Sequence, residues 1–456
     1  MSVNRRDFLA QTLVASAAAL AVPASALDKR ALRYPSRPVS FAIAPARLEI
    51  GRNVVVETTI YEGLRVDAPL RLREGEIAHL RVTNRTAADE LVHWHGLHVP
   101  SRMDGAEEEG SPILKAGTTA DYAFVPRPRG SRWLHTHVMA HQDLGRGGYS
   151  GQYAFLYIDP ASDPGRYDAE VFLAVHHWGG EFCQMGHPVG DRMVAYRHAT
   201  FNNRLMADAE PIRVRPGQRV MFRFLNASPT QNTQIALPGH SFTVVALDGN
   251  PVPKPTRVQT LRLGVAERVD ALVEMNNPGV WVLGSTDPVE RQAGLGRVIE
   301  YQSICGEARW VQPEGSDWDY RRFALPAPVT RHEVDGVFPM VFSKKGLESD
   351  GLDIWQINSR SYPEVPTIRV HQGRRYRFRL LNASREPHPV HFHRHSFEIT
   401  AINGQPTAGL IKDTVVLPLY GSVEVEWVAD NPGPALFHCH QQVHMDSGFM
   451  QMIDYI

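Results

Sequence analysis

The chain has 456 residues, with 48 Lys and Arg against 49 Asp and Glu, for a formal charge of −1. That balance offers no basic field to attract nucleic acid or an anionic membrane surface, so neither is expected as a partner. The 33 prolines, 36 glycines and many short alternating apolar runs predict an all-β chain, and three cysteines permit at most one disulfide.

The first element is a leader, "MSVNRRDFLAQTLVASAAALAVPASA". Arg5 and Arg6 precede Phe8-Leu9 and an alanine-rich apolar run, and Ala24-Ser25-Ala26 offers a small-residue cleavage site. The run is short for a membrane span. The pattern resembles a twin-arginine export signal. Residues 1–26 are therefore expected to be removed, leaving a periplasmic protein that starts near Leu27, with the twin-arginine export machinery as a partner of the precursor. In that oxidising compartment Cys183 and Cys305 are the available pair if Cys439 is engaged elsewhere.

Beyond the leader the chain repeats itself. Residues 212–228, "IRVRPGQRVMFRFLNAS", match residues 368–384, "IRVHQGRRYRFRLLNAS", at eleven of seventeen positions. "HSFTVVALDGNPV" from His240 answers "HSFEITAINGQPT" from His395, and a fainter copy, "LRLREGEIAHLRVTN", ends at Asn84. Each copy runs from a glycine turn into period-two alternation, the signature of a strand crossing a sandwich. Three β-sandwich domains are predicted, at 38–160, 165–308 and 330–456, joined by "DPASDPGRYD" and by a Pro/Asp/Trp-rich stretch around 311–328. A second repeat links the first and third. "WLHTHVMAHQDLG" (133–145) aligns with "LFHCHQQVHMDSG" (436–448), with Thr136 where the other copy has Cys439.

Four histidine clusters carry the chemistry: "HWHG" (93–96), "HTH" (135–137), "HPVHFH" (388–393) and "HCHQQVH" (438–444). A lone H-x-H means little, but four at matching places in two repeats mean more. Imidazoles with one thiolate and no accompanying carboxylate set favour copper over magnesium or calcium, and two histidines with one cysteine is the blue-copper arrangement. Cys439, His444 and His388 fit it. On an extended strand Cys439 points to one face while His438 and His440 point to the other, so one strand joins two metal sites.

These motifs, H-x-H-G, H-x-H, H-x-x-H-x-H and H-C-H-x-x-x-H in that order, resemble those of the three-domain bacterial multicopper oxidases, the laccase-like family, over nearly all the mature length. The resemblance implies three cupredoxin-like Greek-key sandwiches and four coppers. His93 and His391 then stand at the type 2 positions. His95, His135, His137, His393, His438 and His440 stand at the type 3 pair, and His388, Cys439 and His444 at the type 1 site. It also implies dioxygen and a small reducing substrate as partners. The substrate is oxidised beside His444, and electrons pass through Cys439 and its flanking histidines. Asp104 stands where the family has an acidic residue beside the cluster, with an ordinary Asp-Gly turn as the alternative.

Two positions depart from the pattern. The residue after His444, often Glu in bacterial relatives, is Met445, which leaves Asp446 or water to deliver protons. The axial position, five residues after His444, is the non-ligating Phe449, with Met450 as its rival. His141 reads as a relic or packing residue, His98 and the His176-His177 pair as packing or surface, and His240 and His395 as structural. In the middle repeat Thr233, Ala236 and Pro238 replace ligands. "EEEG" (107–110) reads as a solvated acidic loop or a cation-attracting rim. The expected reaction is oxidation of phenols or aromatic amines with dioxygen reduced to water. An oxidase of Cu(I), Mn(II) or Fe(II) is the alternative, with a copper-free structural cupredoxin protein behind it.

Overall fold

The computed structural model describes residues 38–160, 166–184, 192–326, 332–347 and 352–456. The predicted leader and part of the first link lie outside the described residues. Strands dominate, in six sheets that fall into three successive pairs. Residues 39–159 form a four-stranded and a three-stranded sheet, 169–301 a six- and a five-stranded sheet, and 336–455 a second six- and five-stranded pair. The architecture is all-β and cupredoxin-like.

The long repeat folds into equivalent places. Ile212–Val214 runs parallel to Gly296–Tyr301, and Ile368–Val370 runs parallel to Met450–Tyr455. Arg219–Asn226 lies between Ala169–Gln184 and Arg268–Glu274, as Arg375–Asn382 lies between Gly336–Leu347 and Ser422–Val428. The two H-S-F histidines are structural in both copies: His240 Nε2 meets the Tyr301 hydroxyl at 2.6 Å, and His395 Nε2 meets the Tyr455 hydroxyl at 2.6 Å.

Burial separates two kinds of strand. Arg375–Asn382 alternates buried and open residues, as expected where one face packs and the other meets water. His388–Phe392 and Ala435–Cys439 are buried on both faces. Their inner side chains, with Val390, Phe392, Phe437 and Cys439, join one apolar core shared by the middle and third sandwiches. The first sandwich has its own core, and a third cluster, with Trp133, Phe155, Phe172 and Trp178, seals it to the middle one. The histidines on the outer faces of the buried strands are thereby closed in between sandwiches.

The available cysteine pair is not joined. Cys183, in the strand Ala169–Gln184, and the exposed Cys305, past the end of Gly296–Tyr301, are both free thiols. Among the described residues no helix is long and apolar enough to cross a membrane.

Candidate metal centre

Strand register assembles the site. His388–Phe392 pairs antiparallel with Ala435–Cys439 so that His391 lies opposite His438 and Val390 opposite Cys439. In the first sandwich an isolated bridge sets His93 opposite His135. A slip of one residue would turn every one of these side chains to the wrong face, so the ligand geometry is carried by backbone pairing.

On the inner face, Cys439 Sγ lies 3.8 Å from His388 Nδ1 and 3.5 Å from His444 Nδ1. The short helix Gln442–Asp446 returns His444 to the cysteine. Each histidine is fixed by its other nitrogen: His388 Nε2 meets the Ser384 hydroxyl at 2.7 Å, and His444 Nε2 meets Glu386 Oε2 at 3.2 Å. Such outer contacts decide which nitrogen faces a metal. Burial raises the Cys439 thiol far above its ordinary range, so a cation beside it is what would make it a thiolate. Fully buried Phe449 stands with its ring 5.1 Å from that of His388 and 4.7 Å from that of Phe342. Met450 packs elsewhere, against Leu436 and Met445. Trp355, which no sequence signal marked, covers both histidines, with ring distances of 4.6 Å to His388 and 4.3 Å to His444.

On the outer face the other eight histidines converge between the first and third sandwiches. One nitrogen from each of His137, His393 and His438 falls within 4.8 Å of the others, and so does one from each of His93, His391 and His393. His95 Nδ1 is 3.4 Å from His135 Nε2, and the His440 ring lies 5.1 and 5.0 Å from those two rings. The far nitrogens are tied back. The Nδ1–H groups of His93, His135, His391 and His438 donate to the carbonyls of Asp104, Thr136, Asp413 and Cys439 at 2.7–2.9 Å. The inward Nε2 atoms of His93, His137, His391 and His440 are buried without a hydrogen-bond partner. Unpartnered imidazole nitrogens aimed at one another in a closed space are what metal ions satisfy, so the residues present fit a copper cluster. A narrow cavity of about 30 Å³ reaches it, lined in part by His135, His137, His438, His440 and Met445.

Asp104 closes the helix Ser101–Asp104 and is wholly buried. Its Oδ2 accepts from His393 Nδ1 at 2.8 Å, so it is more than a turn residue. A side chain at the following Gly105, with φ of 93°, would collide with the Val92 carbonyl. Burial pushes the Asp104 carboxyl up, but the charge of His93 and the bonds to His393 and His93 outweigh it and hold it below the usual range. The "EEEG" expectation fails at Glu109. That residue is 1% exposed, accepts from the Leu436 amide at 2.7 Å, and reaches His393 Nδ1 at 3.3 Å. Burial, and then the neighbouring Asp104 charge, hold its carboxyl well above the usual range. The run of three acids hid it: the 3₁₀ turn Glu107–Glu109 aims one of them inward. Asp446 accepts from the backbone of Ala140 and His141 at 2.9 and 2.7 Å, which ties the third sandwich to the first, and burial pushes its carboxyl up to about 6.

His141 lies exposed in a left-handed turn, apart from the metal centre. His176 and His177 are buried packing residues. The middle sandwich keeps the shape of the cysteine site without its donors. Thr233 and Ser285 begin and end strands equivalent to those of His388 and Cys439, and Glu290 follows Ser285 by the spacing that separates His444 from Cys439. Glu290 Oε2 accepts from Thr233 Oγ1 at 2.6 Å and Ser285 Oγ at 2.5 Å, while Oε1 meets His177 Nε2 at 3.2 Å.

A buried set of ten histidines and one cysteine, shared by the first and third of three sandwiches, defines a copper oxidase. Three stretches of the sequence, residues 44–162, 181–297 and 332–455, match the multicopper oxidase family. The chain belongs to that family, whose members bind four coppers of types 1, 2 and 3 and use dioxygen as electron acceptor. Among its relatives, the multicopper oxidase MmcO of Mycobacterium tuberculosis is 30% identical, with 90% of this chain and 86% of that one covered. The iron transport multicopper oxidase fio1 of Schizosaccharomyces pombe is 24% identical over 84% of this chain and 70% of its own. The fold is similar to that of Fet3p, described as a multicopper oxidase that functions in iron import (TM-score 0.77, 18% identity, 92% and 90% covered). It is also similar to that of the multi-copper oxidase of Pseudomonas thermotolerans (TM-score 0.72, 24% identity, 92% and 99% covered).

Proposed function

We propose that the protein is a laccase-type member of its family that oxidises phenols and aromatic amines one electron at a time. In this reading His388, Cys439 and His444 hold the type 1 copper, with Phe449 as a non-ligating axial neighbour. His93 and His391 hold type 2, and His95, His135, His137, His393, His438 and His440 hold the type 3 pair. Bound there, the coppers supply one-electron oxidation at one end and four-electron reduction of dioxygen to water at the other. Cys439, with His438 and His440 on either side, provides the covalent path between the two ends. Asp104 orients His393 and stands where protons are needed. Export through the twin-arginine pathway to the periplasm is part of the same proposal.

The observation that carries the substrate class is Glu386. Its carboxylate, 23% exposed, contacts the outer nitrogen of His444 at 3.2 Å and so offers an acceptor to a phenolic O–H or an amine N–H at the edge where the electron leaves. Beside it Pro387 lines a cleft of about 600 Å³, a size that small organic ligands use, whose mainly polar wall also presents Trp318, Tyr320 and Leu419 to an aromatic ring. At the His444 edge itself a metal-ion substrate would need a pair of free carboxylates. Here Lys344 Nζ lies 2.8 Å from both Asp353 and Glu386 and neutralises the pair that would hold a cation.

Oxygen uptake with phenols, aromatic amines, Cu(I), Mn(II) and Fe(II) as donors tests the proposal. Phenols and amines should be preferred. Glu386→Gln should lower kcat/KM for a phenol by about 10-fold or more, and by clearly more than it lowers oxidation of ferrocyanide, which carries no proton. Preference for a metal ion, abolished by Glu386→Gln, would replace this substrate class with the alternative.

A further inference from the structure

The middle sandwich contributes none of the eleven ligand positions, yet a chain of buried charge runs from it to the histidine cluster. Six ionisable side chains meet where the three sandwiches join. Arg132 comes from the first, Asp248, Glu267 and Arg268 from the middle, and Lys412 and Asp413 from the third, none more than 1% exposed. Three cations face three anions, so the group is neutral as a whole, the condition under which burying such charges is tolerable. Lys412 Nζ bridges Asp248 Oδ2 at 2.9 Å and Glu267 Oε1 at 3.0 Å, and the Tyr320 hydroxyl closes the outer end on Glu267.

The inner end is a fork. Arg268 donates from Nη1 to Asp413 Oδ1 at 2.8 Å and from Nη2 to Asp413 Oδ2 at 2.5 Å, and Arg132 Nη1 adds a contact to Oδ2 at 3.3 Å. A bidentate guanidinium–carboxylate pair fixes the carboxylate plane as well as its position. Asp248 Oδ2 accepts from the backbone amides of Asp413 and Thr414 at 3.3 and 3.1 Å, which holds the segment carrying that carboxylate. Asp413 Oδ1 and Thr414 Oγ1 in turn meet His95 Nε2 at 3.3 and 3.2 Å, and the Asp413 carbonyl accepts from His391 Nδ1 at 2.8 Å. The glycine of H-W-H-G has its reason here. A Cβ on Gly96, with φ of 80°, would lie 2.6 Å from Asp413 Oδ2 and 2.7 Å from Arg268 Nη2, inside the fork.

We propose that Arg268 and Asp248 of the middle sandwich are positioning residues for the copper cluster. They hold Asp413 and Thr414 so that His95 presents Nδ1, and His391 presents Nε2, to the metal. The proposal rests on the ligand assignment above. It gives the metal-free sandwich a place in the cluster's chemistry: it sets the aim of one type 3 and one type 2 ligand through groups that touch no copper.

Copper-loaded wild-type protein is compared with Arg268→Lys, which keeps the charge and loses the fork, and Asp248→Asn, which weakens the hold on the two amides. The readouts are total copper, the blue absorption, the type 2 paramagnetic resonance signal, and the rate at which a chelator strips the type 2 copper. Both variants should keep the blue absorption, change the type 2 hyperfine splitting and lose that copper faster, by up to the roughly 10-fold at the low end of the effect of removing a direct partner of a metal ligand. Wild-type protein without a type 2 signal would overturn the ligand assignment itself. A normal wild type with folded, blue variants whose type 2 signal and stripping rate are unchanged would overturn this inference alone. Should neither variant fold, the copper-loaded wild-type crystal structure decides: His95 bound through Nδ1, with Asp413 on its Nε2, supports the proposal, and binding through Nε2 refutes it.

Discussion

Among single residues, one side chain sets the proposed type 1 site apart from a thioether-capped blue-copper site. Phe449 is buried against His388 and Phe342, with no lone pair to offer, and it excludes water. Axial identity and local hydrophobicity set the potential of such sites. A donor that stabilises the oxidised state lowers that potential, so Phe449→Met should lower it in a redox titration and weaken oxidation of the hardest phenols, with copper content unchanged. The swap nearly conserves volume and should cost at most about 1.5 kcal/mol of stability. Met450→Leu should leave the potential alone, because Met450 packs with Leu436 and Met445. Spacing and strand alternation foretold that Phe449, and not Met450, packs beside His388. Glu109 was not, because three consecutive acids look alike in sequence and only the 3₁₀ turn shows which one is turned inward. Trp355 and Glu386 were equally hidden, since each reaches His444 through tertiary packing and not through any motif.

Among the elements, the repeats foretold which strands would match and which would carry the histidine clusters. They did not foretell what fills the ligand positions of the middle copy. There Glu290, on the short helix Pro288–Gln292, joins Thr233, Ser285 and His177 in a closed hydrogen-bonded cluster. These hydrogen-bonded side chains fill the place that His388, Cys439 and His444 take in the third sandwich. Glu290→Ala would leave a buried hydroxyl pair and an imidazole without their acceptor. It should cost roughly 2–4 kcal/mol in denaturant unfolding, without changing copper content or the blue absorption. Loss of copper on that substitution would tie this cluster to the metal sites. The same limit on sequence reading applies to Asp413 and Arg268: 145 positions separate the two halves of their fork, and no local pattern joins them.

For the whole molecule, three sandwiches close around buried neutral histidines, and acid should loosen them. Burial, then nearby Arg127, holds His98 at about 3, beside Ser396 of the third sandwich. Burial likewise holds His176 at about 3, its Nδ1–H on the Ala227 carbonyl. Both groups titrate near 6.5 when the chain unfolds. Between those values the unfolded chain binds more protons than the folded one, so stability is full above pH 6.5 and falls as the pH drops toward 3. Each histidine contributes a slope of up to about 1.4 kcal/mol per pH unit. Unfolding midpoints taken across that window should show this loss, and His98→Gln should make it shallower. An unchanged slope would mean that His98 is not held neutral in the folded state.

In the proposed mechanism one strand, Ala435–Cys439, and the turn after it join two copper sites on opposite faces. The most direct test is metal analysis with visible absorption on copper-loaded wild type and Cys439→Ser. The wild type should approach the family's four coppers per chain and be blue. Cys439→Ser should lose the blue absorption and one copper, retaining roughly three in a cluster that dioxygen still reoxidises after chemical reduction. A variant that stays blue, or a wild type that binds no more copper than the variant, would contradict the account.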